Sequence, residues 1–309
     1  MNAMPELRFD APSTLAEALL LMAAQAPDTP VHPLSGGSDL IVQMRSGRLR
    51  PALIVDLKRI PEFTGIRRDG GGWLIGAATP CAVIGENAAL RADWPGVVEA
   101  ACLIGSPQVQ GRASLGGNLC NASPAADSVP ALIAAGATAI IVSAGSDGAP
   151  QRREVPVEAL PQGPGRIALA PGELLEAICL PARAPRCGDA YLRLIPRSEM
   201  DIAVAGCGVA LGLDADGRIA SARVALGAVA PTALLVPAAA AAIVGSVLDE
   251  TACRRLEEAV RAACRPIDDK RGTASYRTRV AGVLARRAAL RAFERASAAR
   301  PRTGEENPR

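Results

Sequence analysis

The 309-residue chain is long enough for two domains and a sizeable buried core. Its formal net charge of +3 at pH 7 is close to neutral, which gives no reason to expect nucleic acid or an anionic membrane as a partner. We expect a cytoplasmic protein without membrane insertion, because the N-terminus lacks a signal-like pattern and Pro237 interrupts the long apolar stretch 233–244.

Metal and nucleophilic chemistry are poorly supported by the residue inventory. The eight cysteines form no C-x-x-C pair, and His32 is the single histidine. Zinc and iron–sulfur sites need clustered ligands, and hydrolytic triads depend on histidine. We therefore predict free thiols, no metal site in this chain, and no catalytic acid, base or nucleophile.

In chain order, residues 1–60 are predicted to form a small βαβ-like lobe. Thr14 and Glu17 have the spacing of a capping box, which predicts a helix start. The apolar positions that follow recur with helical spacing. Short apolar runs at 31–34 and 52–57 are typical of strands.

Residues 61–185 are predicted to form a larger lobe. A glycine-rich turn separates 64–68 from 73–79, which indicates a hairpin. The segment 183–188 is rich in Pro, Arg and Gly, so we place the boundary of a first domain, residues 1–185, there. Further predicted elements are helices over 82–90, 95–103 and 127–135 and a strand over 137–144.

The second predicted domain covers residues 186–296 and is a smaller α+β unit. We expect a three-stranded antiparallel sheet followed by helices, with a hairpin turn at 214–217. The tail 297–309 lacks large apolar residues, so we expect it to be disordered. The predicted strands cover 191–195, 203–213 and 218–228, and the helices about 233–244, 249–264 and 275–294.

Two glycine-rich segments carry the strongest functional signal. The first is Leu34-Ser-Gly-Gly-Ser-Asp-Leu40, and the second is Ser114-Leu-Gly-Gly-Asn118. Each Gly-Gly pair alone also fits an ordinary tight turn. Two such turns that face each other form a nest of backbone N–H donors, which suits a pyrophosphate. No Rossmann or P-loop motif is present.

The two segments, in this order, resemble the FAD-binding medium subunit of molybdenum hydroxylases, the group of xanthine dehydrogenase, carbon monoxide dehydrogenase and aldehyde oxidase. The stretches 104–112, 172–175 and 191–203 match the same family, and the resemblance covers roughly residues 5–293. It implies an α+β fold in which a two-lobed PCMH-type FAD-binding domain precedes the smaller domain.

The resemblance also implies a set of FAD-binding residues. Ser35–Asp39 and Ser114–Asn118 are expected to contact the diphosphate, with the closest backbone approach at Gly37 and Gly117. The full expected set is Leu34, Ser35, Gly36, Gly37, Ser38, Asp39, Leu40, Ile104, Ser114, Leu115, Gly116, Gly117, Asn118, Asp127, Leu175 and Arg193.

Four residues of this set keep an alternative role. Asp127 aligns with a hydrogen-bond acceptor near the cofactor, but it also suits the N-cap of the following helix. Ile104 and Leu175 align with positions that border the isoalloxazine ring, and both also read as ordinary core. Arg193 aligns with a lysine near the flavin, and its alternative is a solvated charge at a strand edge.

The function implied by the resemblance is electron transfer. A molybdopterin-binding large subunit oxidises the substrate, a small subunit with two [2Fe–2S] clusters passes the electrons on, and FAD reduces an acceptor such as NAD or oxygen. We expect a dimer of heterotrimers. The alternative is a self-sufficient FAD-dependent dehydrogenase or reductase with the same cofactor fold.

Overall fold

The computed structural model describes residues 7–26 and 28–298. Its N-terminal lobe contains a three-stranded parallel sheet in the order β1-β3-β2. The expected βαβ arrangement and the capping box are confirmed, since Thr14 Oγ1 accepts the Glu17 N–H at 3.3 Å. The elements are β1 Arg8–Asp10, α1 Leu15–Ala23, β2 Val31–Leu34, α2 Leu40–Arg45 and β3 Leu53–Asp56.

The larger lobe is built on a five-stranded antiparallel sheet in the order β4-β5-β10-β6-β7. The predicted hairpin is confirmed as β4 and β5. The strands are β4 Ile66–Asp69, β5 Gly72–Gly76, β6 Thr138–Ala144, β7 Pro150–Pro156 and β10 Leu174–Leu180, with a separate pair β8 Pro161–Gly163 and β9 Arg166–Ile167. The central strand β10 lies outside the predicted elements.

Six helices connect β5 to β6 along the chain. They are α3 Cys81–Glu86, α4 Ala88–Asp93, α5 Pro95–Ala101, α6 Pro107–Gln110, α7 Leu115–Cys120 and α8 Ser128–Ala135. The helix predicted over 82–90 is divided at Asn87, whose side-chain oxygen accepts the Leu90 N–H at 2.9 Å and so begins a new helix. The second glycine-rich segment is largely the first turns of α7 and not a loop.

The C-terminal sheet has four antiparallel strands in the order β11-β12-β13-β14, so the prediction of three strands is wrong. The extra strand β14, Leu234–Leu235, falls in the stretch predicted as helix 233–244. Pro237 explains the difference, because proline is tolerated at a helix start and keeps the preceding residue extended. The other elements are β11 Cys187–Leu194, β12 Ala205–Leu213, β13 Ile219–Gly227, α9 Pro237–Ala241, α10 Glu250–Ala263 and α11 Ala274–Ala298.

The described residues form two large hydrophobic cores and a small third cluster of Ala100, Ala131 and Tyr191. The first is formed mainly by the two N-terminal lobes, and the second by the C-terminal sheet with α9, α10 and α11. α8 packs against β12 and β13, and the approach is close, since a Cβ at Gly208 would lie 2.5 Å from the Pro130 carbonyl oxygen. This packing brings Asp127, at the start of α8, next to β11. The tail predicted as disordered, 297–309, is helical at its first two residues, because α11 continues to Ala298. The rest of the predicted tail lies outside the described residues.

Candidate functional site

The two glycine-rich segments face each other, as the sequence predicts. Ser35 Oγ and Ser114 Oγ are 2.6 Å apart although they are 79 residues apart in the chain. Ser114 Oγ also accepts the Gly117 N–H at 3.0 Å and thereby caps α7. A second link joins the two short helices, because Gln43 Nε2 donates to Asn121 Oδ1 at 2.8 Å.

The four glycines of the two segments have different structural roles. A Cβ at Gly36 would overlap the Arg112 carbonyl oxygen, and one at Gly116 would overlap Ala77, so these two glycines permit close packing of the backbone. Gly37 has a φ of +79°, a conformation that L side chains rarely adopt. Gly117 lies inside α7, and the nearest neighbours of a Cβ there would be Ser114 Oγ at 3.2 Å and Ser35 at 3.9 Å. Gly117 therefore borders the space between the segments.

Several backbone N–H groups at this junction make no hydrogen bond within the described part of the protein. Among the residues that the structure describes, no acceptor takes the amide hydrogens of Gly37, Ser38, Leu40 or Leu115. Leu40 and Leu115 begin α2 and α7, where unpaired amides and the helix dipole both favour an anion. The arrangement therefore suits a bound anion that spans both segments.

The first segment is anchored by a lysine that the sequence analysis did not single out. Lys58 Nζ donates to the Ser35 carbonyl oxygen at 2.8 Å and lies 2.5 Å from Asp56 Oδ1. The only feature of the sequence that distinguishes Lys58 is that lysine is rare in it, since Lys58 and Lys270 are the only lysines among 34 basic residues.

Asn118 fastens the second segment to the next helix. Its Oδ1 accepts hydrogen bonds from Ser128 N at 3.1 Å and from Ser128 Oγ at 2.6 Å. The side-chain oxygen is thus used within the protein, and the amide nitrogen is the group left to meet a ligand. Ser38 and Asp39 of the first segment are exposed, whereas Leu115 and Gly116 face the core.

Asp127 and Arg193 form a buried ion pair. Arg193 Nη1 donates to Asp127 Oδ2 at 2.6 Å, with side-chain exposures of 5% for the arginine and 12% for the aspartate. The Tyr191 hydroxyl lies 3.5 Å from the other carboxylate oxygen. Asp127 does occupy the N-cap position of α8, although its side chain makes no capping hydrogen bond there. The alternative for Arg193 is wrong, because a side chain that is 5% exposed is not a solvated charge.

The electrostatics of this pair are unusual. Burial raises the pKa of Asp127, and the opposing effect of Arg193 does not cancel that shift. Arg193 Nε is buried and has no hydrogen-bond partner among the described residues. A buried guanidinium with an unused N–H can meet an acceptor on a ligand.

Ile104 and Leu175 are both buried in the first hydrophobic core. Ile104 directly precedes Gly105, which has a φ of +61°. Leu175 lies in β10 and pairs with Ile141 of β6. Two further residues of the expected FAD-binding set, Leu34 and Leu40, flank the first segment and are half-buried.

Two cysteines and the distribution of potential metal ligands limit the other chemistry in the described residues. Burial raises the pKa of Cys81 and of Cys120 to about 12, which suppresses the thiolate form of both. Within residues 7–26 and 28–298, no group of three or more His, Cys, Asp or Glu residues is placed to hold a metal ion. In the same ranges no helix has the length and apolar character needed to cross a membrane.

Two sequence families match the chain in tandem. The family described as "FAD binding domain in molybdopterin dehydrogenase" matches residues 5–183. The family described as "CO dehydrogenase flavoprotein C-terminal domain" matches residues 190–292.

Individual relatives agree with these matches. The carbon monoxide dehydrogenase medium chain of Hydrogenophaga pseudoflava is 34% identical over 94% of this chain and 98% of its own length. The xanthine dehydrogenase FAD-binding subunit of Escherichia coli O157:H7 is 33% identical over 71% of this chain and 73% of its own length. A solved structure of reconstituted CO dehydrogenase from Oligotropha carboxidovorans superposes with a TM-score of 0.87 at 33% identity, covering 94% of this chain and 98% of that one.

The residues at the junction fit the cofactor that these families share. A diphosphate needs several N–H donors, and both of the segments that meet at the Ser35–Ser114 contact carry amides without an acceptor among the described residues. FAD is accordingly the cofactor of this chain, and the chain is part of an oxidoreductase. It belongs to the FAD-binding medium subunits of the molybdenum hydroxylase family.

Proposed function

We propose that this chain is the FAD-carrying electron-transfer subunit of a molybdenum hydroxylase. Electrons would come from the iron–sulfur clusters of a partner and leave to an acceptor such as NAD or oxygen. The observation that carries the proposal is the contact of Ser35 with Ser114, beside which amides of both segments lack protein acceptors. When bound, FAD supplies the ability to exchange electrons with both one-electron and two-electron partners.

The proposed roles of the residues follow from their positions. Ser35–Asp39 and Ser114–Asn118 donate backbone and side-chain hydrogen bonds to the diphosphate, between the flanking Leu34 and Leu40. Gly117 leaves room for it.

The proposed flavin-side contacts use residues farther along the chain. Asp127 accepts a hydrogen bond near the flavin, and Arg193 provides a positive charge there through the face that its ion pair leaves unused. Ile104 and Leu175 provide apolar contact surface for the ring. Ile104 cannot stack, because it has no aromatic ring.

The proposed assembly contains a molybdopterin-binding large subunit and a [2Fe–2S] small subunit, arranged as a dimer of heterotrimers. The description of relatives as a medium chain and as a FAD-binding subunit supports a multi-subunit enzyme. We propose that the chain itself divides into domains 1–185 and 186–296. The division is supported by the two large hydrophobic cores, because the first draws mainly on residues before 186 and the second only on residues after it.

An anaerobic reduction experiment tests the electron-transfer role. The flavin-loaded chain is mixed with candidate substrates, such as carbon monoxide, purines, nicotinate or aldehydes, with and without the two proposed partner subunits. We expect the flavin to bleach only when both partners are present, and to reoxidise with an artificial acceptor without them. Bleaching by a substrate in the isolated chain would favour the self-sufficient flavoenzyme.

A further inference from the structure

Lys58 follows β3 and reaches back to the first glycine-rich segment. Its Nζ donates to the Ser35 carbonyl oxygen at 2.8 Å and lies 2.5 Å from Asp56 Oδ1. The Lys58 and Asp56 side chains are only 20% and 15% exposed, so water screens this pair weakly. A long lysine side chain held by two acceptors is ordered, and it fixes the position of the Ser35 carbonyl group.

The fixed carbonyl group belongs to the residue that contacts the second segment. Ser35 Oγ lies 2.6 Å from Ser114 Oγ, which in turn accepts the Gly117 N–H at 3.0 Å. A continuous line of polar contacts therefore runs from Asp56 through Lys58 and Ser35 into α7. Movement of Lys58 would disturb both segments at once.

The ammonium group also balances a negative charge. Asp56 Oδ1 accepts the Lys58 backbone N–H at 3.1 Å, which keeps this carboxylate close to the segment even without the lysine side chain. An uncompensated carboxylate there would oppose the approach of a diphosphate. The positive charge of Lys58 offsets the negative charge of Asp56, and its hydrogen bond to Ser35 holds the first segment in one conformation.

We propose that Lys58 is a positioning residue that preorganises the first segment for the diphosphate of FAD. The inference rests on the proposed function, in which Ser35–Asp39 hold that diphosphate. Affinity rises when a binding loop is ordered before the ligand arrives, because less conformational entropy is lost on binding. Lys58 acts through Ser35 and through the charge of Asp56.

The test measures flavin affinity in the deflavinated full chain by fluorescence quenching, with FAD and with riboflavin, which lacks the diphosphate. We expect K58M to raise the Kd for FAD about tenfold, which corresponds to about 1.4 kcal/mol. The Kd for riboflavin should change by less than about twofold, because riboflavin has no diphosphate to meet the segment. K58R keeps the charge and should lie between the wild-type chain and K58M.

Lys270 provides the matched control, since it is the only other lysine and is exposed. K270M should bind FAD as the wild-type chain does. The double variant D56N/K58M should recover part of the lost affinity, because Asn retains the cap but not the charge. A double variant no better than K58M would overturn the charge-compensation part of the proposal.

Two results would overturn the role of Lys58. One is a K58M chain that binds FAD as tightly as the wild-type chain. The other is a K58M chain that loses FAD and riboflavin affinity equally, which would indicate general damage to the fold. A wild-type chain that binds no FAD would instead contradict the proposed function.

Discussion

Arg193 of β11 and Asp127 at the start of α8 form an ion pair, 2.6 Å between Nη1 and Oδ2, that links α8 to the C-terminal sheet. Both side chains are almost fully shielded from water. Removing one partner of such a pair leaves a buried uncompensated charge, which typically costs about 3–5 kcal/mol. The pair therefore stabilises the position of the C-terminal sheet against α8.

A double-mutant cycle tests this relationship. R193M and D127N should each lower the free energy of unfolding by about 3–5 kcal/mol. The loss of unfolding free energy in the double variant should be smaller than the sum of the two single losses by about 1 kcal/mol or more. Urea unfolding of the full chain gives the values. R8M removes the exposed pair with Asp10 and should cost less than about 1 kcal/mol. Additive effects of R193M and D127N would contradict the coupling.

Gly36 should tolerate no side chain. In G36A the new methyl group overlaps the Arg112 carbonyl oxygen, so the two segments must separate, and overpacking of this kind costs about 1–3 kcal/mol. Thermal and urea unfolding measure the loss. G111A is the control, because the nearest atom to its Cβ is 3.6 Å away and its φ is not positive. Equal stability of G36A and G111A would mean that the segments are not held in close contact.

Gly117 should matter for FAD and little for the fold. Its φ is helical, so the penalty of G117V comes from filled space and not from backbone strain. We expect G117V to keep its circular dichroism spectrum and to lose stoichiometric FAD, with a rise in Kd of at least about tenfold. G117A, with one methyl group, should lose less affinity. Retention of one FAD by G117V would assign the second segment a purely structural role.

Local sequence patterns predicted the local structure well. The Thr14–Glu17 capping box and the β4–β5 hairpin depend on residues a few positions apart, and both are confirmed. The β14 strand was missed because Leu234 and Leu235 acquire strand geometry from pairing with β13, which local periodicity does not report.

The contacts of the site are the part that the residues alone could not reveal. Lys58 reaches Ser35, and Arg193 reaches Asp127, across 23 and 66 residues of sequence. No periodicity or spacing connects such residues, and a surface role for a charged side chain is the usual expectation. The two Gly-Gly segments could be recognised from the sequence because each is defined by a few consecutive residues.

His32 should make stability depend on pH below neutrality. Burial lowers the pKa of this histidine below its usual value of 6.5, so the unfolded chain binds the proton more tightly than the folded chain. The stability contribution is therefore complete above pH 6.5 and is lost as the pH falls through the folded pKa. H32Q should flatten the dependence of unfolding free energy on pH in this window.

The single histidine makes the underlying titration directly visible. Proton NMR of the folded chain should show the Cε1–H signal of a single imidazole, with a titration midpoint below 6.5. A midpoint at or above 6.5, or an H32Q chain that loses stability with acid just as the wild-type chain does, would contradict the prediction.

The flavin content of the purified chain tests the central claim most directly. The site offers donors for a diphosphate on both segments, and the sequence has no recognised flavin-linking motif. Acid precipitation followed by chromatography of the supernatant should release one FAD per chain and leave a colourless pellet. Absence of flavin, FMN in place of FAD, or colour retained in the pellet would contradict a non-covalent FAD held through its diphosphate between the two segments.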